Sequence, residues 1–228
     1  MLKNIIKSII KTIADSISDA QDEVCEEVEE TEETTGKQVI VLNPAGDGAD
    51  IDLRVVGLFS SVTEEKVAEV ITGLLYLNET GKKLKDEKKD QKDIEFYIST
   101  YGGSSDDMFA LYDVMKQIQE NNPIATFGIG KVMSAGVLLL AAGTKGKRKI
   151  GKNCRVMIHS VAAGNQGELK TMINELEEIK NIQNMYVKAL VSESNLTEGQ
   201  LRDMLDKGVN VYLTAEEAVK YGIADIIV

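Results

Sequence analysis

One serine, one histidine and a set of glycine turns are the parts of this sequence with chemistry to offer. Three glycine-bearing turns follow apolar runs: Thr100-Tyr101-Gly102-Gly103, Gly128-Ile129-Gly130-Lys131-Val132-Met133-Ser134-Ala135-Gly136, and Ala163-Gly164-Asn165-Gln166-Gly167. In the second, Ser134 stands between a predicted strand and an all-apolar predicted helix. Such a turn can project a hydroxyl at a helix N-terminus, where free backbone N–H groups and the positive dipole end favour a developing oxyanion. The neighbouring glycines let a substrate backbone come close. Serine needs a base to become a nucleophile, and imidazole is the usual one. His159 is the only histidine, so any imidazole chemistry runs through it. It ends the apolar run Arg155-Val156-Met157-Ile158-His159, where a buried structural histidine would be equally at home. Residue types alone leave both readings open.

Composition removes several other chemistries. With Cys25 and Cys154 the only cysteines beside one histidine, a His/Cys zinc cage lacks ligands. A disulfide framework is not expected either, and a reducing cytoplasm fits best. A net charge of −11 weighs against binding a phosphate backbone. The GxG at 128–130 lacks the third glycine of a dinucleotide loop, and residues 144–151 do not match GxxxxGK[ST]. Lys145, Lys147, Arg148 and Lys149 read as an exposed basic turn. No apolar run approaches the roughly 18 residues of a membrane span.

The elements that must position these residues alternate in type. Leu53–Phe59, Ile94–Ser99, Ile124–Ile129 and Arg155–His159 read as strands. Helical spacing is carried by Val67, Val70, Ile71, Leu74 and Leu75, by Met108, Leu111, Tyr112, Met115 and Ile118, and by a long run from Leu169 through Ile182 to about Ser192. Ser61 with Glu64, Thr197 with Gln200, and Thr214 with Glu217 have capping-box spacing. Residues 81–93, with six lysines and four acids, read as a solvated loop or helix extension. The alternation predicts an α/β fold with largely parallel strands. Residues 1–36 differ: they carry −7 of the charge, as an amphipathic run from Leu2 to Ile17 followed by nine acids between Asp19 and Glu33. They are expected to be an amphipathic helix and an acidic, disordered extension, with the globular domain spanning 37–228.

Residues 54–228 resemble ClpP, the proteolytic subunit of Clp-type ATP-dependent proteases. The likeness rests on ordered blocks: Phe96-Tyr97-Ile98-Ser99-Thr100-Tyr101-Gly102-Gly103; Met133-Ser134-Ala135-Gly136 with Leu139-Leu140-Ala141-Ala142-Gly143; Gly146-Lys147-Arg148 with Arg155-Val156-Met157-Ile158-His159; and Leu213-Thr214-Ala215-Glu216-Glu217-Ala218 with Tyr221-Gly222-Ile223-Ala224-Asp225. The resemblance implies a ClpP/crotonase-like superhelix of repeated strand–strand–helix units with a protruding handle helix. It implies a serine endopeptidase with Ser134 as nucleophile, His159 as base, and the N–H groups of Gly103 and Ala135 as the oxyanion hole. It further implies heptameric rings paired into a tetradecamer, a Clp-family AAA+ ATPase partner that uses the ATP, unfolded polypeptide as substrate, no cofactor on this subunit, and a cytoplasmic location.

Departures from the family pattern are concentrated at the site. Asn210 aligns with the catalytic aspartate; it can orient an imidazole but cannot supply the charge that stabilises imidazolium. Asp206 is a possible substitute carboxylate. Gly208-Val209 stands where the family often carries Asp-Arg, Tyr101 replaces a proline, Ala135 a methionine, and Ser160-Val161 the usual Gln-Pro. Two alternatives therefore stand beside an active peptidase: a weak or non-catalytic ring subunit assembling with an active paralogue, and a crotonase-like acyl-CoA enzyme. A membrane-associated serine–lysine peptidase fits poorly, since Lys131 is too close to Ser134 in the chain.

Overall fold

A computed structural model of the chain describes residues 53–88, 91–162, 164 and 166–228. The amphipathic run and the acidic stretch both lie outside the described residues. In chain order the elements are β1 (Val55–Leu58), α1 (Glu64–Asp86), β2 (Ile94–Thr100), α2 (Ser105–Gln119), β3 (Ile124–Met133), α3 (Ala135–Ala141), β4 (Lys149–Ile150), β5 (Arg155–Ile158), α4 (Leu169–Glu193), α5 (Glu198–Asp206), β6 (Val211–Leu213), α6 (Ala215–Lys220) and β7 (Ile226–Ile227). The strands form one sheet in the order β1-β2-β3-β4-β7, with β5 pairing both β3 and β6. Every pairing is parallel except β5 with β6. The mixed α/β fold with a parallel sheet is as the strand–helix alternation predicts.

Apolar spacing decides what is buried. Ile94, Phe96 and Ile98 alternate inward along β2, and all seven residues of α3 are buried. The helix starts are chemically marked. Thr197 and Thr214 form capping boxes with Gln200 and Glu217, as their spacing predicts. At α1 the expected Ser61 cap is replaced by Thr63, whose hydroxyl accepts from the Lys66 N–H. The apolar Val62 pairs with Gly103 instead, which pulls the helix start two residues along. The lysine-rich stretch after residue 81 is in part a helix extension, since α1 runs to Asp86.

Two features bear on the site. First, β3 is ten residues long and divided along its length. Phe127 and Gly128 pair with β4, whereas Lys131, Val132 and Met133 pair with β5. Against β2 its register jumps from Ile98–Gly128 to Thr100–Val132, so β3 holds two more residues than β2 over that interval. This irregularity turns the end of β3 toward Ser134. Second, α4 buries only Tyr186, Val187, Leu190 and Glu193, all toward its C-terminal end. Leu169, Ile173 and Leu176 are 73%, 49% and 51% exposed.

The expected basic turn is only partly exposed. Arg148 is 4% exposed and forms a fork with Asp225: Nε donates to Oδ2 at 2.9 Å and Nη2 to Oδ1 at 2.5 Å. Its Nη1 donates to the Ala141 and Glu193 carbonyls. One guanidinium thus ties the end of α3, the end of α4 and the C-terminal segment together. Charge count alone put it at the surface because its partner lies 77 residues away.

Candidate active site

Ser134 is one of two described non-glycine residues with positive φ, at φ 54° and ψ −121°. That conformation is disfavoured for any residue with a Cβ, by about 1–3 kcal/mol. The surroundings impose it. The Ser134 N–H donates to the Met157 carbonyl at 2.8 Å, continuing the β3–β5 ladder, while the next residue already begins α3, whose apolar side chains are all buried. The Tyr186 hydroxyl reaches from α4 to the Ser134 carbonyl at 3.4 Å. Burial pushes the Tyr186 phenol far above its ordinary range, so it stays a donor. Ser134 occupies the N-cap of α3, yet its side chain makes no capping bond, so its hydroxyl is not consumed by the helix.

Glycines close the other wall. A Cβ on Gly102 would lie 2.6 Å from the Ser134 Cβ and 2.9 Å from the Met133 carbonyl, at a φ of +95°. Only glycine lets this turn approach the serine so closely. Gly103 bridges Val62: the Val62 N–H donates to the Gly102 carbonyl and the Ser104 N–H to the Val62 carbonyl, both at 2.9 Å. These bonds bypass the Gly103 N–H. Neither it nor the Ala135 N–H donates to an acceptor among the described residues.

His159 is the first residue beyond β5 and is half-buried. Ser134, Ala135, Gly103 and His159 line one cavity of about 390 Å³, together with Tyr101, Met108 and Tyr186. Four of the five residues singled out in the sequence are therefore brought together. Asn210 stands apart from them. It immediately precedes β6, whose antiparallel register with β5 runs Val156–Leu213, Met157–Tyr212, Ile158–Val211; one step further sets Asn210 opposite His159. Its side chain is exposed, lies outside the cavity lining and makes no hydrogen bond to His159. Asp206, at the end of α5, is also exposed and absent from the lining.

The cavity floor was not legible in the sequence. Met108 on α2 reads as an ordinary core position, Tyr186 on α4 carries no signal of its own in the sequence, and both are buried. Burial pushes the Cys154 thiol up to about 11, which leaves it a poor thiolate. Among the described residues no group of three or more His, Cys, Asp or Glu is placed to hold a metal ion. No helix among them is long and apolar enough to cross a membrane.

A family model described as Clp protease matches residues 49–228. Curated relatives include the ATP-dependent Clp protease proteolytic subunit 1 of Corynebacterium glutamicum and proteolytic subunit 2 of Corynebacterium jeikeium. Each is 32% identical over 173 residues, covering 75% of this chain and 77% of the relative. Subunit 1 of Corynebacterium diphtheriae matches to the same extent. A strained serine sharing a cavity with the sole histidine and two undonated backbone amides, in a chain matched by that family over most of its length, leads to one conclusion: this protein belongs to the Clp protease family and is a ClpP-like serine-type endopeptidase.

Proposed function

We propose that Ser134 is the nucleophile, His159 the general base, and the Gly103 and Ala135 N–H groups the oxyanion hole, with Asn210 orienting the imidazole. His159 takes the hydroxyl proton as the Ser134 oxygen adds to a substrate carbonyl. The two amides then stabilise the negative charge on the tetrahedral adduct, being fixed before the charge develops. His159 returns the proton to the leaving amine, and the same residues add water to the resulting ester. Asn210 would hold one tautomer of the ring without supplying a counter-charge.

The substrate is proposed to be unfolded polypeptide, hydrolysed inside a chamber of heptameric rings paired as a tetradecamer. A Clp-family AAA+ ATPase would deliver it, using ATP that this subunit does not bind, in the cytoplasm. The apolar side chains of Leu169, Ile173 and Leu176, exposed along the start of α4, support pairing of rings through this helix. Residues 37–228 are proposed to be the peptidase domain, with 1–36 an appended extension.

The single observation that carries the mechanism is that Ser134, His159, Gly103 and Ala135 face one cavity. A fluorophosphonate probe should label Ser134. Ser134→Ala and His159→Ala should each abolish peptide cleavage by the assembled protein; persistent cleavage in both variants overturns the assignment.

A second reading, a weakly active ring subunit working beside an active paralogue, is favoured by the absence of a hydrogen bond between Asn210 and His159. Full activity of the homo-oligomer excludes it. The Clp protease match favours peptide over acyl-CoA chemistry.

A further inference from the structure

A cation stacked on a residue of the cavity lining takes no part in the mechanism. Tyr101 lines the cavity and is 67% exposed, although it sits only two residues before the proposed oxyanion donor Gly103. The Lys131 ammonium, from β3, lies 4.5 Å from the centroid of its ring, beside the cavity and outside its lining. Lys131 is held there by the β3 irregularity, since Ile129 and Gly130 leave the β2 ladder and Lys131 resumes pairing on β5.

The partner of Lys131 in that ladder is Arg155. Register partners in parallel strands leave the same face of the sheet. Two cations therefore stand side by side, in a chain whose net charge is −11, and neither pairs with a carboxylate among the described residues. Adjacent like charges are unfavourable without a counter-charge. The cavity lining contains no Asp or Glu, so nothing there competes for them.

We infer that Lys131, held over the ring of the cavity-lining Tyr101, selects substrate peptides bearing an acidic side chain at one position within three residues of the scissile bond. A peptide lying across the Tyr101 ring would cover it and shield Lys131 from water. Its ammonium would then interact more strongly with both the ring face and a substrate carboxylate. The inference rests on Ser134 as the reacting residue, and it adds a preference that the serine–histidine couple alone does not create.

The test compares matched fluorogenic peptides carrying Glu, Gln or Lys at each of three positions on either side of the cleaved bond. The assembled wild type should cleave the Glu peptide faster than the Gln peptide at one position, by about three- to tenfold in kcat/KM. That ratio should shrink as salt is raised. Lys131→Arg should keep it, Lys131→Gln should level it, and Lys131→Glu should reverse it in favour of the Lys peptide. A reversal cannot arise from loss of structure. The same ratios in all four proteins, or a salt-independent ratio in the wild type, overturn the inference. Binding of the same peptides to assembled Ser134→Ala by fluorescence anisotropy separates the two levels. No cleavage by the wild type together with a Glu preference in binding rejects the catalytic assignment and keeps the Lys131 assignment. Cleavage without preference in either measurement does the opposite.

Discussion

The amide of Ser134 donates to the carbonyl of Met157 at 2.8 Å, so the serine proposed as nucleophile is an extension of the β3–β5 ladder. His159 lies two residues past Met157, just beyond the end of β5. One hydrogen bond therefore fixes both the level of the serine and its distance along the sheet from the imidazole. Side-chain contact between Ser134 and His159 is not needed to bring them to the same cavity; the parallel register does so.

Gly102→Ala should cut turnover by about 10²-fold or more while leaving the protein folded. The new Cβ would press on the Ser134 side chain and the Met133 carbonyl, and the φ of +95° would resist any side chain. Circular dichroism and native mass measurement, run beside peptide cleavage and probe labelling, check this. Wild-type turnover in the variant would show that the close approach of the two turns does not matter.

Asn210→Asp should raise kcat by about tenfold or more, because a carboxylate opposite His159 both orients the ring and stabilises its protonated form in the transition state. Peptide cleavage by the homo-oligomer checks this. No gain would show that the register position opposite His159 does not carry the third residue of the site.

Asp225→Ala should destabilise the protein by about 3 kcal/mol, since it leaves the buried Arg148 guanidinium without its carboxylate. Burial alone would raise the Asp225 carboxyl, but the Arg148 side chain, backbone N–H and charge, with the Gly146 N–H, outweigh it and hold the group below the ordinary range. A depressed folded value means that the stabilisation is present above the unfolded value and is lost as pH falls through the folded one. Urea unfolding should therefore show wild-type stability dropping below about pH 4, with a shallower acid limb in Asp225→Asn.

Tyr112→Phe should cost about 1 kcal/mol at neutral pH through the lost bond to the Glu193 carboxylate. Burial first, then that hydrogen bond and the Glu193 charge, push the Tyr112 phenol up to about 12. Because the folded value is raised, this stabilisation is complete below the unfolded value of about 10 and disappears as pH rises toward 12. Unfolding followed between pH 9 and 12 should show a steeper alkaline loss in wild type than in Tyr112→Phe.

Much of this arrangement could be read from residue spacing. Alternation along β2, the apolar α3 and the Thr197 and Thr214 boxes are local signals, and local signals survive translation into structure. The pairing of Ser134 with His159 was suggested by residue type and strengthened by ordered sequence blocks. What spacing could not show depends on partners far along the chain. Arg148 looked exposed until Asp225 came beside it. Met108 reads as core and Tyr186 carries no signal of its own, yet both line the cavity beside Ser134. Ser61 and Thr63 are both plausible caps by type, and the choice was made by the bridge between Val62 and Gly103.

The backbone at Ser134 carries a lasting handicap. A chain that served only as masonry in a ring would fold more securely with glycine at that corner, where no Cβ would oppose the torsion. Keeping a hydroxymethyl group there, unbonded to the helix it introduces, makes thermodynamic sense only where the oxygen itself is of use, and this speaks for a working centre over a vestigial one.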